Sequence, residues 1–374
     1  MSNYTLNHRQ IQERTMGMVN AMHHRLNPSA PATLEGREYR SMSLVEMARE
    51  FYEMHGRNTS GMSRMDFSRE ALKTRGGAMM ATGDFTSLLA DVARKRLRDG
   101  YQENPGTYKL WARRAPNAPD FKPINAVSLS GAPALLRIEE SGEFQYGQIK
   151  DGGETYSVVT YGRMVAFTRQ AMINDDLRSF DRLVQTFGAS AQRLENRLVY
   201  SQITENGNMA DGTPLFHADH GNLATGVDSW LGVGSLATGR AAMRRQLGAD
   251  GEPLSIGPAF LIVPASLEQL SYQLTSSQYT PAKSSDTNEF REGGRTALTP
   301  IVEPLLDGSS STAWYLASST SAVDTVEYCY LDGAEGPVIE QQESFGIDGT
   351  SFKCRLDFAT KAIDRVGLYR ANGN

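Results

Sequence analysis

Along the first hundred residues, apolar side chains recur with a helical period. In SLVEMAREFYEMHG (43–56), Leu44, Met47, Ala48, Phe51, Tyr52 and Met54 fall mostly on one face. Ser43 stands as N-cap, and Glu46 three residues on completes a capping box. FTSLLADVARKRLRDGYQ (85–102) repeats the pattern through Leu88, Leu89, Val92 and Leu97. The period is then lost. Residues 104–134 contain NPG, APNAP and SGAP, which predict an extended, turn-broken connector. ALLRIEESGEFQYGQI (134–149) and ETYSVVTYGRMVAFTRQAM (154–172) are strand-like and polar-rich, and KDGG between them is a turn sequence. They predict a long hairpin. An isolated two-stranded hairpin is not stable in water, and no other segment offers it a cover. It is expected to lie across another molecule.

The helical period returns in INDDLRSFDRLVQTFGASAQRLENRLVYSQI. Leu177, Phe180, Leu183, Val184, Phe187, Ala191, Leu194 and Leu198 predict one long amphipathic helix. Asp175 and Asp176 sit at its start, where the helix dipole favours anions. At 1.5 Å per residue it would run about 40 Å, a structural spine. Beyond it the chain alternates. LATGRAAMRRQL (236–247) predicts a short helix, AFLIVPA (259–265) a buried strand, and SLEQLSYQLTSS (266–277) a capped helix. Residues 278–297 read as a long polar loop. IVEPLL, AWYLAS and TVEYCYL read as short strands, and the tail from Pro337 as strands with a hairpin around IDG.

A chain of 374 residues exceeds the size at which one core stops growing, so at least two lobes are expected. Hydrophobic residues at 40% and charged residues at 22% exclude wholesale disorder. Eleven of the 15 methionines lie in the front third, where adaptable side chains suit either a core or a surface that meets partners in several settings. Cys329 and Cys354 lie in apparent strands and form no CxxC, which argues against a disulfide scaffold or zinc ribbon and for buried thiols. No apolar stretch is long enough to span a bilayer. The net charge of −5 is uneven. Residues 1–125 carry 19 Lys and Arg against 13 Asp and Glu, a net of +6, and the remainder carries 19 against 30, a net of −11. Such a basic front end suits polyanions or acidic neighbours, or is solvated surface.

Candidate chemistry is sparse. LFHADHGNL (215–223) places His217, Asp219 and His220 within four positions, as in a metal site or part of a triad. The histidines are three apart in a loop, and no third histidine lies downstream, so the scaffold of a zinc site is missing. There is no GxSxG (GVGS at 232–235 lacks the final glycine), no Walker A and no GxGxxG at a strand-to-helix turn. Glu139, Glu140 and Glu143 read as solvated charge on the hairpin. With Lys150 and Asp151 at its turn, they are the residues the hairpin would bring to a neighbouring copy. Little chemistry, an uncovered hairpin, a spine helix and a separate-looking N-terminal region together predict a self-assembling structural protein.

TYGRMVAFTRQAMINDDLRSFDRL (160–183), MADGTPLFHADHGNLA (209–224) and AAMRRQLGADGEPLSIGPAFLIVPASLE (241–268) resemble tailed-phage major capsid proteins. The similarity is to the group with Mu-like head subunits and prohead protease–capsid fusions. EYRSMSLVEMAREF, DFTSLLADVARKRL and TYKLWARR resemble it too, and the first thirty or so residues are covered least. The resemblance implies an α+β chain of the Hong Kong 97 type. Its N-terminal helical region and arm would be 1–134, the extended loop 135–162, the peripheral domain with the spine helix 163–205 and 338–374, and the axial domain 206–337. It further implies hexamers and pentamers closing around double-stranded DNA, with no catalytic, metal or cofactor residues. The implied partners are further copies of the chain, a portal, a separate maturation protease or scaffold, a decoration protein and packaged DNA. Assembly would take place in the host cytoplasm, away from any membrane. The chain starts at Met1 without a protease motif, which reads as capsid alone. An encapsulin-like compartment shell and a metal-dependent hydrolase using His217, Asp219 and His220 are the alternatives.

Overall fold

A computed structural model describes residues 7–28, 31, 33–72, 85–103, 105–126, 153–174, 177–248, 251–278, 288–343 and 349–373. Among them the helices are α1 (His8–Leu26), α2 (Leu44–Met54), α3 (Arg64–Ala71), α4 (Phe85–Gln102), α5 (Arg169–Ile173), α6 (Leu177–Thr204), α7 (Val233–Arg244) and α8 (Glu268–Thr275). The strands are β1 (Arg113–Arg114), β2 (Ile124–Ala126), β3 (Glu154–Tyr156), β4 (Val159–Thr168), β5 (Leu223–Ala224), β6 (Pro258–Val263), β7 (Thr299–Val302), β8 (Trp314–Ser318), β9 (Val326–Tyr330), β10 (Val338–Glu343), β11 (Gly349–Ala362) and β12 (Leu368–Ala371). The class is α+β, and the chain divides into two compact units.

The first unit comprises Met1–Pro105, Thr160–Arg193 and Ala334–Asp357. Its core is built by helices. Met18 and Met22 of α1, Leu44, Met47 and Phe51 of α2, and Leu88, Val92 and Leu97 of α4 are buried with Phe167, Phe180, Val184 and Phe352. The front helices are therefore one core with the start of the spine, where the sequence suggested a separate region. Ser43 caps α2 as expected, its hydroxyl accepting the Glu46 amide while the Glu46 carboxylate accepts the Ser43 amide. Two glycines let α4 and α6 touch backbone to backbone. A Cβ on Gly188 would stand 2.3 Å from the Leu97 carbonyl oxygen, and one on Gly100 2.3 Å from that of Gln185. The first half of β11 pairs antiparallel with β10, from Val338↔Arg355 to Glu343↔Thr350. Strand β4 also pairs with β11.

The second unit comprises Gly106–Val159, Leu194–Gly333 and Phe358–Asn374. One sheet has the order β5-β12-β8-β6-β7. Its core holds Trp314, Leu316, Leu261, Val263 and Tyr369. Helix α7 lies on this sheet through Gly239, where a Cβ would meet Leu316 Cδ1 at 2.8 Å and the Tyr369 ring at 2.9 Å. In the other group, β11 from Phe358 to Ala362 pairs antiparallel with β9, and β1 joins β9 in parallel. Cys329 and Cys354 are buried free thiols in strands, as expected. Burial pushes the Cys354 thiol up to about 11.

Three expectations change. The strand expected over 154–172 is interrupted after Tyr156, resumes at Val159 and ends at Thr168, whose hydroxyl accepts the Ala171 amide and starts α5. The helix expected to be capped over 266–277 has no side-chain cap at its start. Asp307 instead accepts the Ala265 amide at 2.7 Å and the Ser266 amide at 3.3 Å, and α8 begins at Glu268. The spine helix is present over 28 residues, about 42 Å at the ordinary rise, but its buried stripe is shifted. Phe180, Val184 and Ala191 are inside, Phe187, Leu194 and Leu198 are half-buried, and Leu183 is 45% exposed. Asp181, Gln192 and Glu195 are buried as well. Leu177 is in the helix.

Candidate assembly surface and the histidine loop

Residues 135–162 were expected to reach out to another copy. Glu139, Glu140, Glu143, Lys150 and Asp151 lie outside the described residues. The described root of this segment is covered by its own chain, contrary to the expectation that nothing covers it. Strand β3 pairs antiparallel with β2 through Ile124↔Tyr156 and Ala126↔Glu154. Glu154 is buried, accepts the Ala210 amide and meets Lys361 Nζ at 3.4 Å. Val158 is buried beside Ala115, Ala118 and Cys329. The anchor was missed because a carboxylate at a strand start reads as solvent-facing. Only the tertiary structure supplies the cation and the amide that satisfy it.

The spine helix hides charge for the same reason. In the first unit, Arg96 Nη2 donates to Asp181 Oδ2 at 2.9 Å, Nε donates to the other carboxylate oxygen, and Nη1 donates to Asp99 at 3.0 Å. The Asp181 hydrogen bonds hold the guanidinium above even its ordinary high pKa, against the opposing effect of burial. His23 Nε2 lies 3.0 Å from Asp99, so α1 shares this network. In the second unit, the Tyr108 hydroxyl donates to Glu195 at 2.7 Å. Asn196 Nδ2 donates to Glu303 at 2.8 Å, the Thr107 hydroxyl also donates to Glu303, and Trp111 Nε1 donates to the Tyr200 hydroxyl at 3.1 Å. Burial raises the Tyr200 hydroxyl well above its usual range, so it stays protonated.

His217, Asp219 and His220 come together as a loop held by hydrogen bonds. His220 is buried, with Nε2 2.9 Å from Asp211 and Nδ1 3.2 Å from the Leu215 carbonyl oxygen. His217 Nδ1 accepts the Asp219 amide at 3.2 Å. Asn222, fully buried, accepts the His217 amide and donates to the Leu215 carbonyl, and Gln246 donates to the His220 carbonyl at 2.8 Å. Burial opposes the charge on Asp211, but the Thr213 amide, His220 and Arg365 outweigh it and hold the carboxyl below its usual range. Ring nitrogens engaged in this way serve the loop. Asp211, Asn222 and Gln246 were not singled out in the sequence, since an Asp nine residues away has no local signature. A depression of about 330 Å³ adjoins the loop, lined by His220, Arg245, Gln246 and Arg365 among others. Among the described residues, no three His, Cys, Asp or Glu side chains are grouped to hold a metal ion.

The histidine loop, the spine and the β5-β12-β8-β6-β7 sheet of the second unit fall within one recognised span. The family model described as phage capsid protein matches residues 153–371. The match defines a capsid shell protein, a component of the virion. This chain belongs to the phage capsid protein family. Membership agrees with the α+β, Hong Kong 97-type class implied by the motifs. No curated protein matches the chain. Among solved structures it is similar to one from Mycobacterium phage Adephagia, at TM-score 0.42 and 10% identity, covering 72% of this chain and 90% of that one. It is similar also to the procapsid of bacteriophage JBD30, at 0.42 and 14%, covering 77% and 75%. A holo encapsulin complex from Synechococcus elongatus matches at 0.45 and 13%, covering 71% and 85%. No described helix is long and apolar enough to cross a membrane.

Proposed function

We propose that this chain is the major head protein of a tailed phage or prophage. It forms hexamers and pentamers that close into an icosahedral shell around double-stranded DNA, and it carries out no catalysis. The observation that supports this reading is the family match, which runs through the spine helix and the whole tail of the chain. Residues 163–205 and 338–374 act as the peripheral domain and 206–337 as the axial domain. Residues 1–134 form the N-terminal helical region and arm, and 135–162 the extended loop that Glu139, Glu140, Glu143, Lys150 and Asp151 bring to a neighbouring copy. Many weak reciprocal contacts add up over the shell. The basic front end meets packaged DNA through phosphates, without base readout. A portal, a separate maturation protease or scaffold, and a decoration protein complete the head, which is built in the host cytoplasm.

The test is electron microscopy of the expressed protein, with and without the rest of its head gene set, and analysis of particle contents. Closed shells that fill with nuclease-protected double-stranded DNA support the reading. Shells that only enclose protein cargo favour the encapsulin-like alternative, and protein that stays monomeric at every concentration refutes both.

A further inference from the structure

The second unit presents an apolar pair on an otherwise tightly held loop. Val227 is 80% exposed and Trp230 is 56% exposed. Three tryptophans occur in the chain, and the other two, Trp111 and Trp314, are fully buried. The loop that carries the pair is fixed from beneath. Gly226 adopts φ +83, a left-handed turn that suits glycine. The buried Ser229 donates its amide and hydroxyl to the Gly226 carbonyl, at 2.9 and 2.6 Å. Trp314 Nε1 donates to the Ser229 carbonyl at 2.8 Å. The Ser235 hydroxyl, at the start of α7, donates to the Trp230 carbonyl at 2.6 Å and lies 3.0 Å from the Gly232 amide that donates to it. Leu231 turns inward to the core.

A rigid loop that turns Ser229 and Leu231 inward while holding Val227 and Trp230 in water has lost its conformational entropy in advance. Burial of the pair by a partner then costs little ordering. Exposed, preorganised tryptophan is also the residue type that dominates interface energies. We infer that Val227 and Trp230 form a contact knob received by a second copy of this chain during shell assembly. The inference rests on the shell reading above and names one of its contact surfaces. The size of the knob supports this occupant. A tryptophan covers about 150–250 Å², whereas a stable free dimer needs roughly 800 Å² from each partner. The knob is too small to hold a pair together alone, and fits a contact that becomes effective when repeated around a closed assembly.

Tryptophan fluorescence tests this directly, because the buried pair leaves Trp230 as the one indole open to a quencher. Acrylamide quenching is measured on dispersed subunits and on assembled shells, for the wild type and for Trp230→Phe. The expected result is a quenchable component in wild-type subunits, absent from Trp230→Phe and shielded once shells form. Trp230→Ala with Val227→Ser should need about tenfold more subunit to assemble, the loss of an ordinary interface residue, with circular dichroism unchanged. Shells in which Trp230 remains as quenchable as in free subunits overturn the inference and leave the shell reading standing. A double variant that is folded and assembles at the wild-type concentration does the same. Wild-type protein that never forms particles removes both.

Discussion

The two units bury polar groups differently. In the first, a guanidinium and a carboxylate face each other. Arg96 and Asp181 are both nearly inaccessible, and each is the other's charge partner. In the second, the buried Glu195 accepts from the Tyr108 hydroxyl, and the buried Glu303 from the Thr107 hydroxyl and the Asn196 amide. The apolar cores differ in parallel. The first unit sets methionines such as Met18, Met22 and Met47 among the rings of Phe51, Phe85 and Phe180 between helices, and the second packs Trp314, Leu316 and Tyr369 of its sheet. A buried ion pair depends on keeping both partners, while a carboxylate held by hydroxyls and an amide, as Glu303 is, can exchange its charge for an amide. Methionine tolerates a change of shape, and an indole with a bonded N–H does not.

The sharpest way to break this contrast is to remove one partner on each side. Asp181→Ala leaves buried Arg96 with only the half-buried Asp99 as charge partner and should cost about 3 kcal/mol in urea unfolding of the free subunit. Glu303→Gln keeps an oxygen for Thr107 and Asn196 and should cost about 1 kcal/mol. Equal losses would show that the two networks are equivalent.

Glycines give the next comparison. Gly188→Ala presses a methyl group onto the Leu97 carbonyl, which cannot swing aside, and should cost about 3 kcal/mol. Gly239→Ala presses instead on Leu316 and Tyr369 side chains, which can shift, and should cost about 1 kcal/mol. The ranking, read from denaturation midpoints, is the test.

Core swaps should differ less. Met47→Leu should cost under about 1 kcal/mol, since the volume is kept. Trp314→Phe removes the indole N–H that donates to the Ser229 carbonyl and should cost about 2 kcal/mol. It should also loosen the loop that presents Trp230, which hydrogen exchange at residues 226–232 would reveal.

The smallest effect is electrostatic. The Asp211 carboxyl is held below its usual range in the folded chain. Its contribution is therefore present above the unfolded pKa of about 4 and is lost as pH falls through the lower folded value. Asp211→Asn should lower stability slightly at neutral pH and flatten the acid limb below about pH 4. Its side chain is half exposed, so solvent screening keeps the change small. A mutant whose acid limb matches the wild type would show that the His220 contact carries no pH dependence.

Local patterns were legible wherever the determinants lie within a few residues. The capping box of Ser43 and Glu46, helix 85–102, the long helix through Phe180 and Val184, and strands around Cys329 and Leu261 follow from periodicity and capping. The wrong side of the spine was predicted at Leu183 because apolar spacing cannot weigh a buried Asp181 whose partner stands 85 residues earlier. Helix α1 escaped notice because its sequence is mostly polar, with buried Met18 and Met22 set among charges. The spacing of the histidines argued against a metal site and for a loop held by hydrogen bonds, but the sequence did not show that Asp211, Leu215 and Asn222 are the partners.

By itself the sequence determined the α+β class, the spine helix, the absence of familiar catalytic motifs and a resemblance to phage capsid proteins. These depend on short-range periodicity, capping and motif spacing, which the chain carries wherever it is placed. Only the tertiary structure decided which charges go inside, that β2, Ala210 and Lys361 hold the root of the extended segment, and that Trp230 alone of three tryptophans faces water. Burial of a charge, and the display of an indole, depend on partners far away along the chain, and only folding brings those partners within a hydrogen bond's reach.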